Sequence, residues 1–348
     1  MLGDRTVASG DWYSLRRAGV PLPDRPAQAH VEFVNGDRLA GTVVDGDGSA
    51  LTLRLGDGQS LRFPLSALRA AWVRPPGDDS PDWLAGPRRR DVIQSKTGDV
   101  ALGVIEAIDA AKNVVRYQAD GKGQQGDWTR VAAIGFNTDL ARVRKPKGPY
   151  YRLTLADGSR LSVASVDYTD SVWTAETLYK GTVRLARDRV VSVDVEQGKA
   201  IALADLKPTK YQYTSFDGED FRWAADRNVL GRPLRLKFEE DESTFDRGLG
   251  LHAECALTYS LAGKYRRFEA KAGLDSRDGR MGDAELVIQI DGTACELPRG
   301  GHLSSGHDPL SVGLDVSGAN ELRITVRKGA GGIVQDVVNL VEARLVVK

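Results

Sequence analysis

The chain has 348 residues, 41% hydrophobic and 28% charged, which is too long for one small domain and too apolar for wholesale disorder. Lys plus Arg and Asp plus Glu both number 48, so the formal net charge is zero. That argues against a basic nucleic-acid or membrane binder, and no apolar run approaches the roughly 18 residues of a membrane span. With two Cys and four His, a disulfide-dense scaffold and a Cys-rich zinc module are both excluded, while 38 Gly fit the many tight turns of an all-β chain.

Met1-Leu2-Gly3-Asp4-Arg5 lacks the basic start and apolar stretch of a secretory signal. The chain therefore reads either as intracellular or as a form from which such a segment was removed. Residues 1–29 carry Pro21, Pro23 and Pro26 and read as an extended lead-in, with Trp12, Tyr13 and Leu15 available to dock on a neighbour. Short alternating segments follow. Val31 and Phe33 lead to Asn35-Gly36, a two-residue hairpin signal; Leu39, Gly41 and Val43 lead to Asp47-Gly48; Leu51, Leu53 and Leu55 lead to Asp57-Gly58, Leu61 and Phe63. Five strands in about 45 residues make a small β-barrel.

The pattern repeats. Gly36-Asp37-x-x-x-Gly41 recurs as Gly98-Asp99-x-x-x-Gly103, and more loosely around Asp157-Gly158 with Leu153, Leu155, Leu161 and Val163. Each copy closes on an apolar element, at 65–73, 131–136 and 185–195. This predicts three consecutive small β-barrels, at 30–75, 88–138 and 149–197, joined by Pro- and Gly-rich linkers at 75–81 and 145–149. In size and turn spacing they resemble Sm-like barrels. Residues 196–215 read as a connector. Beyond it, alternation at 284–290, 310–316, 322–326 and 343–347, without an amphipathic helix of ten residues, predicts a β-sandwich over 209–348.

Several blocks there share an order and spacing: Phe245-Asp246-Arg247-Gly248-Leu249-Gly250-Leu251-His252-Ala253, Leu257 to Phe268, Gly273-Leu274-Asp275, Gly282-Asp283, Asp291-Gly292, Leu314-Asp315-Val316-Ser317-Gly318-Ala319 and Val334-Gln335-Asp336. This region, about 211–348, resembles the NPCBM family of carbohydrate-binding modules. The resemblance implies a jelly-roll sandwich of the galactose-binding-like type, with sugar binding as its role. It departs from the family's Asp-His-Ala-x-Trp near the last strand. Asp336 is kept, but Val337 and Leu340 replace the His and Trp, and the preceding acidic turn is Lys328-Gly329-Ala330-Gly331-Gly332. If that corner supplies ligands in relatives, this copy has lost donors, negative charge and a stacking ring.

A sugar site needs an aromatic face for a pyranose ring and polar groups converging on hydroxyls. Phe221, Trp223, Tyr259 and Tyr265 are the aromatics on offer. Tyr259 and Tyr265 lie in strand-like text and are expected in the core, leaving Trp223 as the stacking candidate. With it, His252, Asp275, Asp336 and Asn339 form the candidate carbohydrate-binding set. His252 also reads as a turn-holding residue that hydrogen-bonds locally. Asp275 and Asp336, with Asp278 and Asp283, could hold one structural calcium, or could simply shape turns beside Gly. His302, His307 and Asp308 read as a solvated loop rather than a zinc site. Gly248-x-Gly250 lacks the third Gly and the helix of a dinucleotide site, and Cys255 and Cys295 are expected as small buried hydrophobes rather than a bridge.

No nucleophile elbow, His-Glu-x-x-His or phosphate loop occurs, so the expected protein is not an enzyme. The partner expected is a glycan or cell-surface polysaccharide, met by the sandwich in the periplasm or outside the cell, with the barrels as spacers or protein-docking units; a cytoplasmic site is the alternative. A second reading is a scaffold whose sandwich has lost sugar binding. Residues 86–149 hold 12 Lys and Arg against 7 Asp and Glu, with Arg88-Arg89-Arg90 and Arg142 to Lys147 at the flanks. Only Trp128, Tyr117 and Phe136 are there to stack on bases, which argues for a solvated charged segment over nucleic-acid binding.

Overall fold

The computed structural model describes residues 12–75, 81–143, 146–215, 218, 221–239 and 241–347. Residues 1–5, residues 76–80 of the first linker, and Arg144 and Lys145 of the basic run lie outside them. Ser14–Val195 form one compact unit; Glu196–Lys348 with Met1–Tyr13 form the other.

The N-terminal unit is built from strands, with short 3-10 turns and one four-residue helix, Asp82–Ala85, among its described residues. The same order recurs three times. The first copy runs His30–Phe33, Arg38–Ala40, Thr42–Asp47, Ala50–Arg54, Ser60–Pro64, a 3-10 turn at Leu65–Ala67 and Leu68–Trp72. The second runs Asp91–Ser95, Val100–Asp109, Val114–Ala119, Lys122–Asp127, a turn at Trp128–Arg130 and Val131–Gly135. The third runs Tyr150–Leu155, Arg160–Thr169, Val172–Thr177, Thr182–Ala186, a turn at Arg187–Arg189 and Val190–Glu196. In each copy the last strand returns to pair with the first, as Val31 with Ala71 and Ile93 with Ile134. Alternate residues such as Leu51, Leu53, Leu61 and Phe63 are buried inside, as the period of two requires.

The repeated glycines have a conformational cause. The N–H groups of Phe33, Ser95 and Leu155 donate to the carbonyls of Asp37, Asp99 and Ser159, each at 2.8 Å. Three residues therefore stand in each loop, not the two expected at Asn35-Gly36. Gly36, Gly98 and Gly158 have φ of +88°, +96° and +84°, whereas Asn35 keeps a negative φ. This is a type I turn followed by a left-handed residue, which only glycine adopts at no steric cost. The second glycine of the motif lets the next strand pass close. A Cβ on Gly41 would lie 2.7 Å from the Arg54 carbonyl oxygen, and one on Gly103 would lie 2.4 Å from that of Gln118.

The copies also pair with one another. Last strands join copies one and two through Ala71 and Ile134. First hairpins join copies one and three through Arg38 and Arg160. Part of the lead-in, Ser14–Arg16, is a strand on the last strand of copy three, with Leu15 opposite Val193.

The basic flank is partly structural. Arg88 is buried, and its guanidinium donates to the carbonyls of Phe136 (3.1 Å), Trp83 (2.8 Å) and Arg69 (2.9 Å). Trp128 and Phe136 are buried too, whereas Tyr117 is half-buried, so two of the three rings that could have stacked on bases are core. Arg88→Met, which leaves three carbonyls without a donor, is expected to destabilise the N-terminal unit by about 2 kcal/mol in chemical denaturation.

The C-terminal unit is a jelly-roll type β-sandwich. One sheet runs Ala224–Ala225, Gly248–His252, Val337–Val347, Tyr265–Leu274, Leu310–Asp315, with Ala200–Ala202 also on Val337–Val347. The other runs Lys210–Tyr213, Cys255–Ser260, Glu321–Lys328, Asp283–Ile290, Thr293–Ala294, with His302–Ser304 on Asp283–Ile290. Leu249, Leu251, Phe268, Leu340 and Leu345 from the first sheet share a core with Leu257, Tyr259, Leu286, Ile288 and Ile324 from the second. A separate hairpin, Leu234–Phe238 with Asp241–Phe245, completes the unit.

The segment read as a connector belongs to this unit. Ala200–Ala202 pairs with the last strand, Leu203 is fully buried, and Lys210–Tyr213 pairs with Cys255–Ser260. These strands have three and four residues, too few to show alternation. Tyr13 also docks here: its hydroxyl donates to Glu269 Oε2 at 2.7 Å, and the Arg344 guanidinium lies 4.0 Å from its ring centroid. Tyr259 and Tyr265 are core. Both cysteines are free; Cys255 is buried, whereas Cys295 is only partly so.

Candidate functional site

Three strands of the first sheet are in register at one end. His252 lies opposite Val337, and Leu274 opposite Val338. Asp275, which follows Leu274, and Asp336, which precedes Val337, are thereby carried to the same end. The backbone ties them in: Asp275 N–H donates to the Val337 carbonyl at 2.8 Å, and Ala253 N–H to that of Asp336 at 3.3 Å.

Asp275 is completely buried. Its Oδ2 accepts from Asn339 Nδ2 at 2.7 Å and Asn228 Nδ2 at 3.2 Å, and its Oδ1 accepts from the N–H groups of Arg277 at 3.0 Å and Asp278 at 2.9 Å. Asn339 reaches it because Val338 and Leu340 take the core side of the strand and Asn339 takes the other. Asn339 also donates to the Arg235 carbonyl at 3.0 Å, while its Oδ1 has no partner. Asn228 Oδ1 in turn holds the N–H groups of Leu230 and Arg232. The 227–232 turn lies against Gly250, where a Cβ would stand 2.3 Å from the Arg227 carbonyl oxygen. Gly250 serves that close approach, while a Cβ on Gly248 would stand 2.6 Å from the Leu340 carbonyl oxygen.

Asp336 is also buried, at 1% exposure. Its Oδ1 accepts from Asp283 N–H at 2.9 Å, and its Oδ2 has no partner. Burial, with the nearby charges of Asp283 and Glu254, pushes its carboxyl up to about 6. Asp283 holds the Lys328–Gly332 turn by accepting from Ala330 N–H at 3.0 Å, and it lies 3.4 Å from His302 Nδ1. His307 Nδ1 is instead 2.6 Å from Ser304 Oγ. Val337 and Leu340 are both buried. Since Leu340 belongs to the core between the sheets, an aromatic ring there would be a packing residue, and its loss removes no stacking surface.

His252 is buried, and its ring stacks on Phe221 with centroids 4.2 Å apart and planes at 11°. Trp223 is half-buried and packs against the sandwich core. It precedes Ala224, which pairs with Gly250, so Phe221 and Trp223 both belong to the segment along the Gly248–His252 strand.

Calcium needs six to eight oxygens. Both oxygens of Asp275 are taken by N–H donors, and Asp336 has one unpartnered oxygen. Among the described residues no group of three or more His, Cys, Asp or Glu is arranged to hold a metal ion. The donor set at Asp275 and Asp336 does not fit calcium in this arrangement.

The structure thus joins Asp275 and Asn339 directly, sets Asp336 on the same end with Asp283, and gives His252 to Phe221. Asn228 and Glu254 were not singled out from sequence. Asn228 opens a turn closed by Gly231, which was its one legible signal; nothing local marks Glu254, whose role arises from a neighbouring strand. The surface of this end is apolar in places: Leu230, Met281 and Val334 stand 45%, 73% and 65% exposed. The last two sit on loops tied by the bond from Met281 N–H to Gln335 Oε1 at 3.1 Å.

Residues 199–346 match the family described as NPCBM/NEW2 domain. No curated protein matches the chain. Among solved structures, the CBM51 of Clostridium perfringens GH95, in complex with methyl-galactose, is similar at 23% identity and a TM-score of 0.38, over 42% of this chain and 99% of that one. The tandem CBM51 modules of Sp3GH98, the family 98 glycoside hydrolase from Streptococcus pneumoniae, are similar at 11% identity and a TM-score of 0.38, over 96% of this chain and 99% of that one.

Proposed function

With residues 199–346 carrying an NPCBM/NEW2 domain, we propose that the C-terminal unit is a non-catalytic module that binds a glycan or cell-surface polysaccharide. The observation that carries this is the agreement between the match and the sandwich. The match begins one residue before the Ala200–Ala202 strand and ends within Val337–Val347, so it covers both sheets and their shared core.

The contact face we assign is the sandwich end formed by the loops at 226–233, 275–283 and 328–336. Asp275, Asn339 and Asp336 are buried there and act by holding the loops in place. The sugar would meet the exposed apolar tips of Leu230, Met281 and Val334 and the half-buried Trp223. The N-terminal unit acts as a spacer or protein-docking element, and its three strand sets are proposed to be small barrels. On this reading the ligand is met in the periplasm or outside the cell, and a cytoplasmic location goes with the scaffold reading. No helix among the described residues is long and apolar enough to cross a membrane.

The scaffold reading is favoured by one feature: the polar groups expected to meet hydroxyls are turned into the protein. Calorimetric titration of the full chain with galacto- and gluco-oligosaccharides, with calcium and with chelator, separates the two. Saturable heat, weakened at least about tenfold in Trp223→Ala by loss of a ring contact, supports the glycan module. No heat with any sugar, from a chain shown to be folded, supports the scaffold.

A further inference from the structure

The way the three copies of the N-terminal unit join each other leaves one edge unmatched. The joint between copies one and three is reciprocal. Arg38 and Arg160, each the first residue after its copy's hairpin turn, lie opposite one another. Ala40 N–H donates to Ser159 Oγ at 2.8 Å, and Ser162 N–H donates to Asp37 Oδ2 at 2.7 Å. Ala40 and Ser162 are equivalent positions, as are Ser159 and Asp37, because the turns of all three copies close on equivalent hydrogen bonds. Each copy thus gives the other the same bond it receives, the mark of a twofold contact. The outward residues Arg38, Ala40, Arg160 and Ser162 are all buried by it.

In copy two the same positions are Val100 and Leu102, followed by Val104. They are apolar, and they stand 49%, 53% and 56% exposed. Asp99 stands where Asp37 does, in an exposed turn. Residues 100–103 pair with Asp91–Ser95 on one side only, since Val114–Ala119 pairs from Val104 onward. The last-strand edges of copies one and two are matched to each other, and that of copy three is covered by Ser14–Arg16. Among the described residues the first-hairpin edge of copy two has no strand partner, and it is apolar where three of its four buried counterparts, Arg38, Arg160 and Ser162, are polar. An open, apolar edge is a template for another strand.

We infer that this edge docks on the same edge of a second copy of the chain, as copy one docks on copy three. Val100 then lies across the twofold axis from its own equivalent, Leu102 and Val104 are covered, and Leu102 N–H of each chain donates to Asp99 of the other. A second copy is the occupant because the chain already builds this contact from the equivalent elements, and a twofold needs no other partner. Two sandwiches on one dimer would also bind a repeating polymer with avidity; the pairing itself does not depend on that use.

Sedimentation equilibrium of the full chain tests it. The expected result is a concentration-dependent dimer whose dissociation constant rises at least about a hundredfold in Leu102→Asp, where a charge enters each half of the buried contact. The substituted site is exposed within the single chain, so the variant's far-UV spectrum and melting temperature stay those of a folded protein. Val100→Cys gives a second, independent reading: equivalent Cα atoms facing across an antiparallel pair lie within disulfide reach, so mild oxidation yields a covalent dimer. A chain that stays monomeric at high concentration, a dimer that persists unchanged in Leu102→Asp, or Val100→Cys that does not cross-link each overturns the proposal.

Discussion

Asp275→Ala lowers the stability of the C-terminal unit by about 4 kcal/mol, the largest single-residue effect expected in this protein. The side chain is fully buried and accepts four hydrogen bonds, two from the amides of Asn228 and Asn339 and two from the backbone of its own turn. Alanine strands four buried donors that the carboxylate had satisfied. Asn228 then keeps only its 2.8 Å bond to Asp278 Oδ2, which loosens the 227–232 turn that rests on Gly250. For a unit of this size, about 4 kcal/mol corresponds to a fall in melting temperature of roughly 10 °C. Asp275→Asn keeps the shape but turns amide protons toward amide protons on one side, so roughly half of the loss remains. Thermal denaturation of both variants checks this. A loss below about 1 kcal/mol for the alanine variant would show that the network does not hold the turn.

Asp336→Asn is expected to stabilise the same unit, and only above acidic pH. The carboxyl is raised from 3.8 to about 6 in the folded protein, by burial first and by Asp283 and Glu254 next. A carboxyl raised on folding favours the fold when protonated. Its contribution is fully present below pH ~3.8 and is lost as pH rises through about 6. Above that pH the fold carries a buried carboxylate with one oxygen unpartnered, at a cost of at most about 3 kcal/mol. Asparagine retains an oxygen for the Asp283 N–H and carries no charge. The urea midpoint of the variant should therefore exceed that of the wild type at pH 7.5 and converge with it near pH 4. A difference that does not change between these two pH values would remove Asp336 as the titrating group. The cost has a structural counterpart: the loops at this end, where the glycan face is proposed, are held by a carboxylate that the fold would prefer neutral.

Much of the architecture was legible because it rests on local rules. Gly36, Gly98 and Gly158 mark equivalent turns because a left-handed residue is needed at one place in each, and Gly41 and Gly103 mark two close strand crossings. Leu286, Ile288 and Ile290, Leu322 to Val326, and Leu257 with Tyr259 show a period of two because one face of each strand is buried. The loop length at Asn35-Gly36 was not legible, since the same dipeptide serves both turn types and backbone hydrogen bonding decides between them.

The candidate residues were legible as neighbours and their surroundings were not. Asp275, Asp336, His252 and Asn339 were found through a family resemblance, and the structure does gather them at one sandwich end. Whether a carboxylate faces a ligand or its own protein depends on groups far along the chain, such as Asn228 beneath Asp275 and Glu254 beside Asp336. No spacing records that. The same holds for Arg88, which reads as a surface cation until three carbonyls close on it, and for Leu340, which reads as a lost sugar contact until the two sheets enclose it.

The sequence by itself determined the longer alternating strands, the turn glycines and the recurrence of one strand pattern, because each follows from backbone sterics and alternation within about ten residues, and its motif blocks carried the match over residues 199–346. Only the tertiary structure decided where the sandwich begins, which polar side chains are buried and which repeat edge has no strand partner among the described residues. Those follow from pairings between distant segments, Ala200 with Val346 or Arg38 with Arg160, whose energy depends on what each strand meets across the fold and not on its neighbours in the chain.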